Sequence, residues 1–385
     1  NLMTNDIKVT LDHENYNFIT GMSTYETLST KSSDRYQYIL PYYNFSKNIS
    51  QDFLNGSLNL NSNGSNDLNN TNVFKSSIVN TITYQGADNI SNFGFKTNLN
   101  ANFLNLNSIG KNSIDYKSSP QSEIASIFEL KSVLPLIKVR NEFNDILTPK
   151  VSLRFNPSDM KNHSNADRRI NTDNIFNLNR LGLSDSYESG RSLTLGLDYK
   201  KENIEDINKY FDFKIAALLR DKEENFIPEK STINKKTSNI FGQITHSISE
   251  NFRFGYDFAI DNDLNTFEYN DLNTSISINN FVTSFNFIKS SGKYGNTSIL
   301  SNSTTYNMDD TNYFIFNTRR NRETNLTEYY DLVYEYKNDC LTAGIKYRKT
   351  YYDDGDVKPE ENLLFTVTLF PLTTYEQNAS DLINE

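Results

Sequence analysis

The side chains that could carry out a reaction are few and far apart in this sequence. The three histidines are His13, His163 and His246, and the single cysteine, Cys340, has no histidine near it in the chain. The sequence motifs of serine hydrolases, zinc proteases, phosphate-binding loops and dithiol redox centres do not occur. A nucleophile activated by a neighbouring base therefore has little support. We expect a protein that is not an enzyme, with no catalytic residues, no metal site and no cofactor.

A run of carboxylates near the C-terminus is the one place where the sequence suggests cation binding. Its members are Asp353, Asp354, Asp356, Glu360 and Glu361. Ca²⁺ prefers such oxygen ligands, but the spacing lacks the full pattern of a calcium-binding loop. A solvated outer loop is the more ordinary interpretation of residues 353–361, and the binding of divalent cations there stays open.

The composition fits a membrane protein that crosses the bilayer with strands. Hydrophobic residues make up 36% of the 385 residues, and the mean hydropathy is −0.62. No apolar run approaches the roughly 20 residues that a membrane-spanning helix needs. A β-barrel avoids that requirement, since only the outward side chains of its strands must be apolar. The net charge is −10, and Lys and Arg form no dense cluster, so nucleic acid is not an expected partner.

Apolar and polar side chains alternate with a period of two through most of the chain, which predicts about eighteen strands. Near the C-terminus, for example, Phe365, Val367 and Leu369 share one face, whereas Thr366 and Thr368 share the other. We expect the first three to face lipid and the two threonines to face a lumen. The predicted strands are residues 16–27, 36–46, 52–61, 74–84, 94–104, 122–136, 147–156, 191–200, 210–220, 238–248, 251–260, 272–278, 281–288, 297–306, 312–319, 327–336, 340–352 and 363–371.

Long polar connections alternate with short turns between these strands. Transmembrane β-barrels have this pattern, with long loops outside and tight turns in the periplasm. The predicted fold is therefore all-β: a large antiparallel transmembrane β-barrel of about 18–20 strands over residues 1–372, followed by a periplasmic C-terminal tail, residues 373–385. A strand at Ile7–Leu11 would make about nineteen. Because single-chain bacterial barrels have even numbers, we expect the first strand or strands to lie upstream of Asn1.

The longest connection is the loop between the strands predicted at 147–156 and 191–200. It contains Phe176, Asn179 and Arg180, followed by Asp185 and Glu188. A loop of this length with internal hydrophobic residues is seldom without a function. The residues leave open whether it is a lid, an inward-folded constriction or a flexible loop.

Several short motifs occur in an order that resembles one protein family. They are Ile39-Leu40-Pro41; Leu147 to Phe155 with Pro149; Phe176, Asn179, Arg180, Gly182, Asp185, Glu188 and Gly190; Asp339-Cys340; Tyr347-Arg348; Asp356 with Pro359; and Phe365 to Leu369. Together they resemble the C-terminal barrel domain of the LptD family, in its alphaproteobacterial form. The long loop departs from the family pattern, because Ser184 precedes Asp185 and no Arg follows it.

The resemblance implies a translocon that inserts lipopolysaccharide into the outer leaflet of the Gram-negative outer membrane. In the family, lipopolysaccharide leaves through a lateral gate between the first and last strands. An LptE-like plug lipoprotein fills the lumen, and an N-terminal periplasmic domain connects to an LptA-like bridge. The main alternative is a water-filled porin or uptake channel of about 18 strands. A secreted soluble β-protein is a third possibility.

The resemblance also implies a place for the gate and a partner for the cysteine. The gate strand would consist of Phe365, Thr366, Val367, Thr368 and Leu369. We expect the strand 363–371 to pair only with 340–352 in this chain, leaving its other edge open. The residues alone leave Cys340 either free or paired outside the chain, at the periplasmic end of its strand. The resemblance implies a disulfide from Cys340 to the N-terminal periplasmic domain.

Overall fold

The computed structural model of the protein describes residues 2–28, 35–70, 72–353, 358–370 and 373–378. Within these ranges the chain forms twenty-two strands. They are β1 (Leu2–His13), β2 (Tyr16–Thr27), β3 (Tyr36–Ser50), β4 (Gly56–Asn69), β5 (Val73–Gly86), β6 (Asn89–Ile90), β7 (Lys96–Lys111), β8 (Gln121–Val133), β9 (Leu136–Val139), β10 (Phe143–Asn156), β11 (Gly190–Asn203), β12 (Tyr210–Arg220), β13 (Ile240–Ser249), β14 (Phe252–Ile260), β15 (Phe267–Ile278), β16 (Phe281–Ser290), β17 (Thr297–Asn307), β18 (Asn312–Asn321), β19 (Leu326–Lys337), β20 (Leu341–Thr350), β21 (Glu361–Leu369) and β22 (Thr373–Asn378).

Helical structure is confined, in the described ranges, to two short 3₁₀ segments, Glu229–Ser231 and Gly292–Tyr294. None of the described helices has the length and apolar character needed to cross a membrane.

The prediction of an all-β antiparallel chain is confirmed. Every one of the eighteen predicted segments contains a strand, and Ile7–Leu11 lies within β1. The alternation missed β6, β9 and β22. The first two have only two and four residues, which is too short for a period of two to be recognised. The third has the sequence TTYEQN, in which Tyr375 is the only apolar side chain.

Two loops that were predicted to be long and polar, 62–73 and 105–121, are partly strand. Strand β4 continues to Asn69 and β7 to Lys111. In this region polar side chains replace the apolar ones: Ser62 Oγ donates to Asn80 Oδ1 at 2.8 Å, and Asn80 Nδ2 donates to Asn105 Oδ1 at 3.4 Å. Backbone pairing does not depend on side-chain polarity, so the ladder continues although the apolar pattern has ended.

The chain divides into two compact units. The first comprises residues 1–136, 147–198 and 215–241, and the second comprises residues 137–146, 199–214 and 242–385. In the first unit, β1, β2, β3, β4, β5, β7 and β8 pair in that order, each antiparallel to the next. Strand β8 then pairs with β10, where Glu129 lies opposite Arg154.

The two faces of the first unit differ in burial. On β10, Ser152, Arg154 and Asn156 are buried, whereas Leu153 and Phe155 are exposed. The buried side chains of β5, β7, β8, β10, β11 and β12 lie on what we call the covered face, because loops pack against it. The opposite face of these strands, which we call the open face, carries exposed apolar side chains. On β10 a charged side chain is therefore buried and the apolar side chains next to it are exposed, the reverse of a soluble core.

In the second unit, β14 to β22 follow one another as antiparallel neighbours. Ile345 on β20 lies opposite Phe365 on β21, and Ala343 lies opposite Val367. Phe365, Val367 and Leu369 are exposed, and the threonines between them are half-buried. The predicted alternation along β21 is thus confirmed, and the contact of its exposed face with lipid stays a prediction.

The expectation that residues 363–371 pair only with 340–352 was wrong. Strand β22 folds back along the other edge of β21, from Leu369 opposite Thr373 to Leu364 opposite Asn378. An unpaired strand edge exposes a row of backbone donors and acceptors, and here the following segment satisfies them.

Cys340 is exposed in the turn between β19 and β20, and its thiol is free. The disulfide with a residue outside the chain stays a prediction. Of the acidic run, Asp354 and Asp356 lie outside the described residues. Two of the other carboxylates have lysine partners at 2.7 Å: Asp353 pairs with Lys358, and Glu361 pairs with Lys349.

Candidate functional site: an ordered loop layer on one face of the sheet

The long loop between β10 and β11 is packed against the sheet. Its buried apolar side chains are Met160, Ile170, Ile175, Phe176, Leu181, Leu183 and Tyr187. The sequence left open whether this loop is folded inward or flexible, and the structure shows it folded onto the covered face. Burial of this many apolar side chains stabilises the packed position of the loop, since each contributes roughly 1.5–3 kcal/mol when removed from water.

A second loop, between β12 and β13, joins the first. His163 N–H donates to the carbonyl of Phe226 at 2.9 Å, and Glu229 N–H donates to the carbonyl of Ser164 at 3.0 Å. The side chains of Ile227 and Ile233 have no exposed surface. Residues 157–189 and 221–239 therefore form one structural element, which we call the loop layer.

The loop layer is fixed to the strands by a buried charge cluster centred on Glu188. Arg180 Nε donates to Glu188 Oε2 at 2.6 Å, and Arg180 Nη2 donates to the other carboxylate oxygen. Arg220, the last residue of β12, donates to the same carboxylate from the strand side. Arg180 also reaches β11, donating to Thr194 Oγ1 at 2.9 Å and to Ser192 Oγ at 2.8 Å. Charge-assisted bonds of this kind fix geometry as well as contributing energy.

A second charge pair lies beside this cluster on the covered face. Arg154 Nη2 on β10 is 3.0 Å from Glu129 Oε1 on β8, and Ser152 Oγ donates to the same oxygen at 2.6 Å. Arg154 Nη2 also donates to the carbonyl of Asn177 in the loop layer. The loop motif, residues 176–190, is therefore bonded near its start to Arg154 of β10, which pairs with β8, and near its end to Arg220 of β12.

The combined cluster contains three guanidinium groups and two carboxylates, so it carries one surplus positive charge. Burial alone would raise the pKa of Glu188, but the charges of Arg180 and Arg220 outweigh it and lower the pKa to about 2. Burial, followed by repulsion from Arg154, lowers the pKa of Arg180 to about 10, so that group stays charged at neutral pH. Within the described residues, Arg154 Nε and Nη1 and Arg220 Nε find no acceptor. Removing one charged partner from such a buried cluster lowers the stability of the folded state by about 3–5 kcal/mol.

Phe176 occupies a slot made by a glycine. A Cβ on Gly196 of β11 would lie 2.7 Å from the Phe176 ring, which is closer than side-chain atoms approach in folded proteins. The ammonium groups of Lys131 and Lys150 lie 5.8 and 5.6 Å from the ring centroid. Cations at this distance from an aromatic face are attracted to it. Phe176, the first residue of the loop motif, is thus in contact with three strands, β8, β10 and β11.

The small and amide residues of the motif shape its turns. Asn179 Nδ2 donates to the carbonyl of Leu183 at 2.8 Å and so closes the turn that contains Gly182. Gly182 has φ +60° and Gly190 has φ +80°, a region that side chains with a Cβ rarely adopt. Gly190 begins β11 immediately after Glu188 and Ser189, so it lets the chain turn from the charge cluster into the strand.

Asp185 takes a partner that the motif did not suggest. His163 Nε2 lies 3.0 Å from Asp185 Oδ1, within the loop layer. Burial by itself would raise the pKa of Asp185, but the hydrogen bond and charge of His163, with the charge of Lys161, outweigh it and lower the pKa. The partner of Asp185 is thus a histidine that lies 22 residues upstream in the sequence.

Tyr187 joins the loop layer to strands β5, β7 and β8. It packs with five buried side chains of β5, β7 and β8, namely Val79, Leu104, Leu106, Ala125 and Ile127. Asn156 Nδ2 donates to the carbonyls of Tyr187 and Glu188 at 3.2 and 3.1 Å. Burial raises the pKa of the Tyr187 hydroxyl to about 12. Sequence reasoning did not single out this residue.

Of the predicted site residues, the structure brings Arg180 and Glu188 together in the charge cluster and places Gly190 beside Arg220. Phe176 lies in the slot at Gly196, Asn179 and Gly182 form a turn, and Asp185 pairs with His163 in the same layer. Sequence reasoning missed Glu129, Arg154 and Arg220. The available signal was the alternation, because in β10 the charged Arg154 stands between Leu153 and Phe155 on the opposite face. The predicted gate strand and Cys340 belong to the second unit. No group of three or more possible metal ligands occurs in the ranges that the structure describes.

One family model matches most of this chain. The family model described as LptD, LPS transport system D, matches residues 2–319. A search of curated proteins gives no significant match.

Among solved structures, the siderophore receptor PirA from Pseudomonas aeruginosa is similar at a TM-score of 0.49, with 9% identity, over 100% of this chain and 73% of the other. The ferric-catecholate import receptor Fiu from E. coli has a TM-score of 0.43 and 9% identity, covering 98% and 74%. PirA from Acinetobacter baumannii has a TM-score of 0.43 and 8% identity, covering 96% and 72%.

Proposed function

Because this chain belongs to the LptD family of the LPS transport system, we propose that its strands form the barrel that inserts lipopolysaccharide into the outer leaflet. The protein resides in the outer membrane of Gram-negative bacteria. The family match over residues 2–319 is the observation that carries the proposal, because it includes the whole loop motif from Phe176 to Gly190.

The two faces of the first unit support this function. The open face exposes Leu153, Phe155 and Leu219, which suits contact with acyl chains. The covered face holds the charge cluster, which suits the interior of a barrel. In this proposal the loop layer occupies part of the interior and leaves less room for water than a porin needs. Its buried ion pairs give it a fixed shape against which a polar saccharide or a plug protein can move.

The gate in this proposal is the strand of Phe365, Thr366, Val367, Thr368 and Leu369. Strand β22 lies along one edge of that strand, so β22 must leave before another strand can take the same edge. The proposed partners are lipopolysaccharide, an LptE-like plug lipoprotein and an LptA-like bridge reached through an N-terminal periplasmic domain. Cys340, exposed beside β20, is the proposed attachment point of that domain.

Complementation tests the proposal. The full-length protein is expressed in cells depleted of their own family member, and the arrival of new lipopolysaccharide at the cell surface is measured. We expect delivery to be restored. The same purified protein is placed in planar bilayers, where we expect no steady open-channel current. Failure to restore delivery by protein that is assembled in the membrane would contradict the proposal, and a steady ion current in addition would favour the uptake channel.

A further inference from the structure

The open face of the first unit contains a groove of about 510 Å³. Its floor includes a row of three leucines on neighbouring strands, because Leu130 of β8 lies opposite Leu99 of β7 and opposite Leu153 of β10. These side chains are 51%, 44% and 50% exposed for Leu99, Leu130 and Leu153. Leu193 and Leu219 continue the lining on β11 and β12. The groove is thus an apolar trough that runs across five strands.

The positively charged side chain of Arg191 lies at the end of this groove that is nearest the loop layer. Arg191 is the second residue of β11, is exposed, and holds its guanidinium carbon 5.5 Å from the centroid of the Phe155 ring. Among the described residues no carboxylate lies within ion-pair distance of Arg191. Asp221 also lines the groove and is the one carboxylate near this end that faces it. The site therefore combines a long apolar surface with a guanidinium whose charge is not neutralised by an ion pair.

The strands under the groove are held from behind by the charge cluster. Four residues of the charge cluster belong to the strand segments that form the groove: Glu129, Arg154, Ser192 and Arg220. Their side chains point to the covered face, where they bond to each other and to the loop layer. The curvature of this part of the sheet is therefore fixed by buried bonds, and the trough does not depend on a ligand to form it.

We propose that this groove binds one lipopolysaccharide molecule on the outside of the barrel, with an acyl chain along the leucine row and a phosphate at Arg191. The inference rests on the proposed function, which makes the open face a lipid-facing surface. An arginine near the end of a strand can keep its stem on apolar surface and its charged group at the level of the lipid headgroups. Its planar fork matches the oxygens of a phosphate. The site would hold the transported lipid after it has reached the outer leaflet.

Lipid retention by the purified full-length protein tests the groove. Nanodiscs of phosphatidylglycerol with a small fraction of lipopolysaccharide are formed, and the lipid retained after detergent washing is measured by mass spectrometry. We expect Arg191→Gln to reduce the amount of retained lipopolysaccharide about fivefold. One cation near an anionic headgroup contributes about 1 kcal/mol to the binding free energy, which corresponds to that factor. Asp221→Asn removes a repelling charge and should increase retention by a similar factor.

The matched control is Arg322→Gln in the second unit. The Arg322 guanidinium lies 5.6 Å from the Phe287 ring, so it makes the same type of contact away from the groove. Retention by Arg322→Gln should equal that of the unchanged protein. Equal retention by Arg191→Gln and the unchanged protein would overturn the proposal, as would Arg191-dependent retention of phosphatidylglycerol in place of lipopolysaccharide.

The two proposals fail in different measurements. If Arg191→Gln retains about fivefold less lipopolysaccharide in nanodiscs and the unchanged protein restores surface delivery in cells, both proposals stand. If Arg191→Gln makes no difference to retention while delivery is restored, the groove is refuted and the translocon stands. If the unchanged protein is assembled and delivery fails, the translocon is refuted whatever lipid is retained.

Discussion

Arg180 and Glu188 are eight residues apart in one loop and are bonded through both carboxylate oxygens, with both side chains buried. The same carboxylate binds Arg220 at the end of β12, so one glutamate connects the long loop to the strand that precedes the second loop. This relationship turns a 33-residue connection into a fixed layer on the sheet.

Glu188→Gln should destabilise the loop layer by about 3–5 kcal/mol, because it leaves two buried arginines with no carboxylate between them. We expect cleavage in residues 157–189 by added protease in membranes, with the strands still assembled. Glu223→Gln is the matched control, since Glu223 lies in the same layer and makes an exposed pair with Lys235. Its effect should stay within about 0.5 kcal/mol. Equal protease resistance of the two variants would contradict the role of Glu188.

The same carboxylate should make the loop layer sensitive to acid. The pKa of Glu188 is lowered from its ordinary 4.5 to about 2, so its contribution to stability is fully present above pH 4.5 and is lost as the pH falls toward 2. Hydrogen exchange of residues 157–189, corrected for intrinsic rates, should speed up over this interval. In Glu188→Gln that acid step should be absent. If the increase in hydrogen exchange at low pH is unchanged in Glu188→Gln, another titrating group causes it.

Phe176 and Gly196 should show strong coupling. Gly196→Ala forces the Phe176 ring out of its slot, at a cost of about 1–3 kcal/mol. Phe176→Ala alone should cost about 3–5 kcal/mol through lost packing. The double variant should cost less than the sum, because the added methyl group then enters vacated space. Thermal unfolding of the four proteins in detergent measures the coupling, and additive effects would show that the two residues do not share a space.

Strand β21 should tolerate a charge on only one face. Val367→Arg places a guanidinium on the exposed apolar face, which costs about 2–4 kcal/mol at the middle of a membrane. Thr366→Arg places it on the half-buried face, where a polar environment is expected. Assembly, measured by the gel shift between folded and heated protein, should be blocked in the first variant and retained in the second. Comparable assembly of both variants would show that the lipid-facing side of β21 has been assigned wrongly.

Cys340 should be oxidised in the full-length protein. We expect a disulfide to a residue upstream of Asn1, a change of gel migration on reduction, and impaired lipopolysaccharide delivery in Cys340→Ser despite normal assembly. The position supports this, because the thiol is exposed in a turn, where a second domain can reach it. Free alkylation of Cys340 in the mature protein, with identical migration on reduction, would refute it.

The sequence alone determined the strands and most of their face assignments. A strand that separates lipid or solvent from an interior must alternate its side chains, so Phe365, Val367 and Leu369 were assigned correctly to one face without any structure. The order of the short motifs also identified the family. The prediction lost accuracy where the apolar pattern ended, as in β4 beyond Leu60 and in β22, because backbone pairing continues there without a side-chain signal.

Only the tertiary structure decided which charges meet. Arg154 and Glu129 are 25 residues apart, and Arg220 lies 32 residues beyond Glu188, so no local period connects them. Their contact depends on the register between strands and on the loop that covers them. Burial of a charge is tolerated only when a partner arrives at hydrogen-bond distance, and that distance is set by the packed chain as a whole.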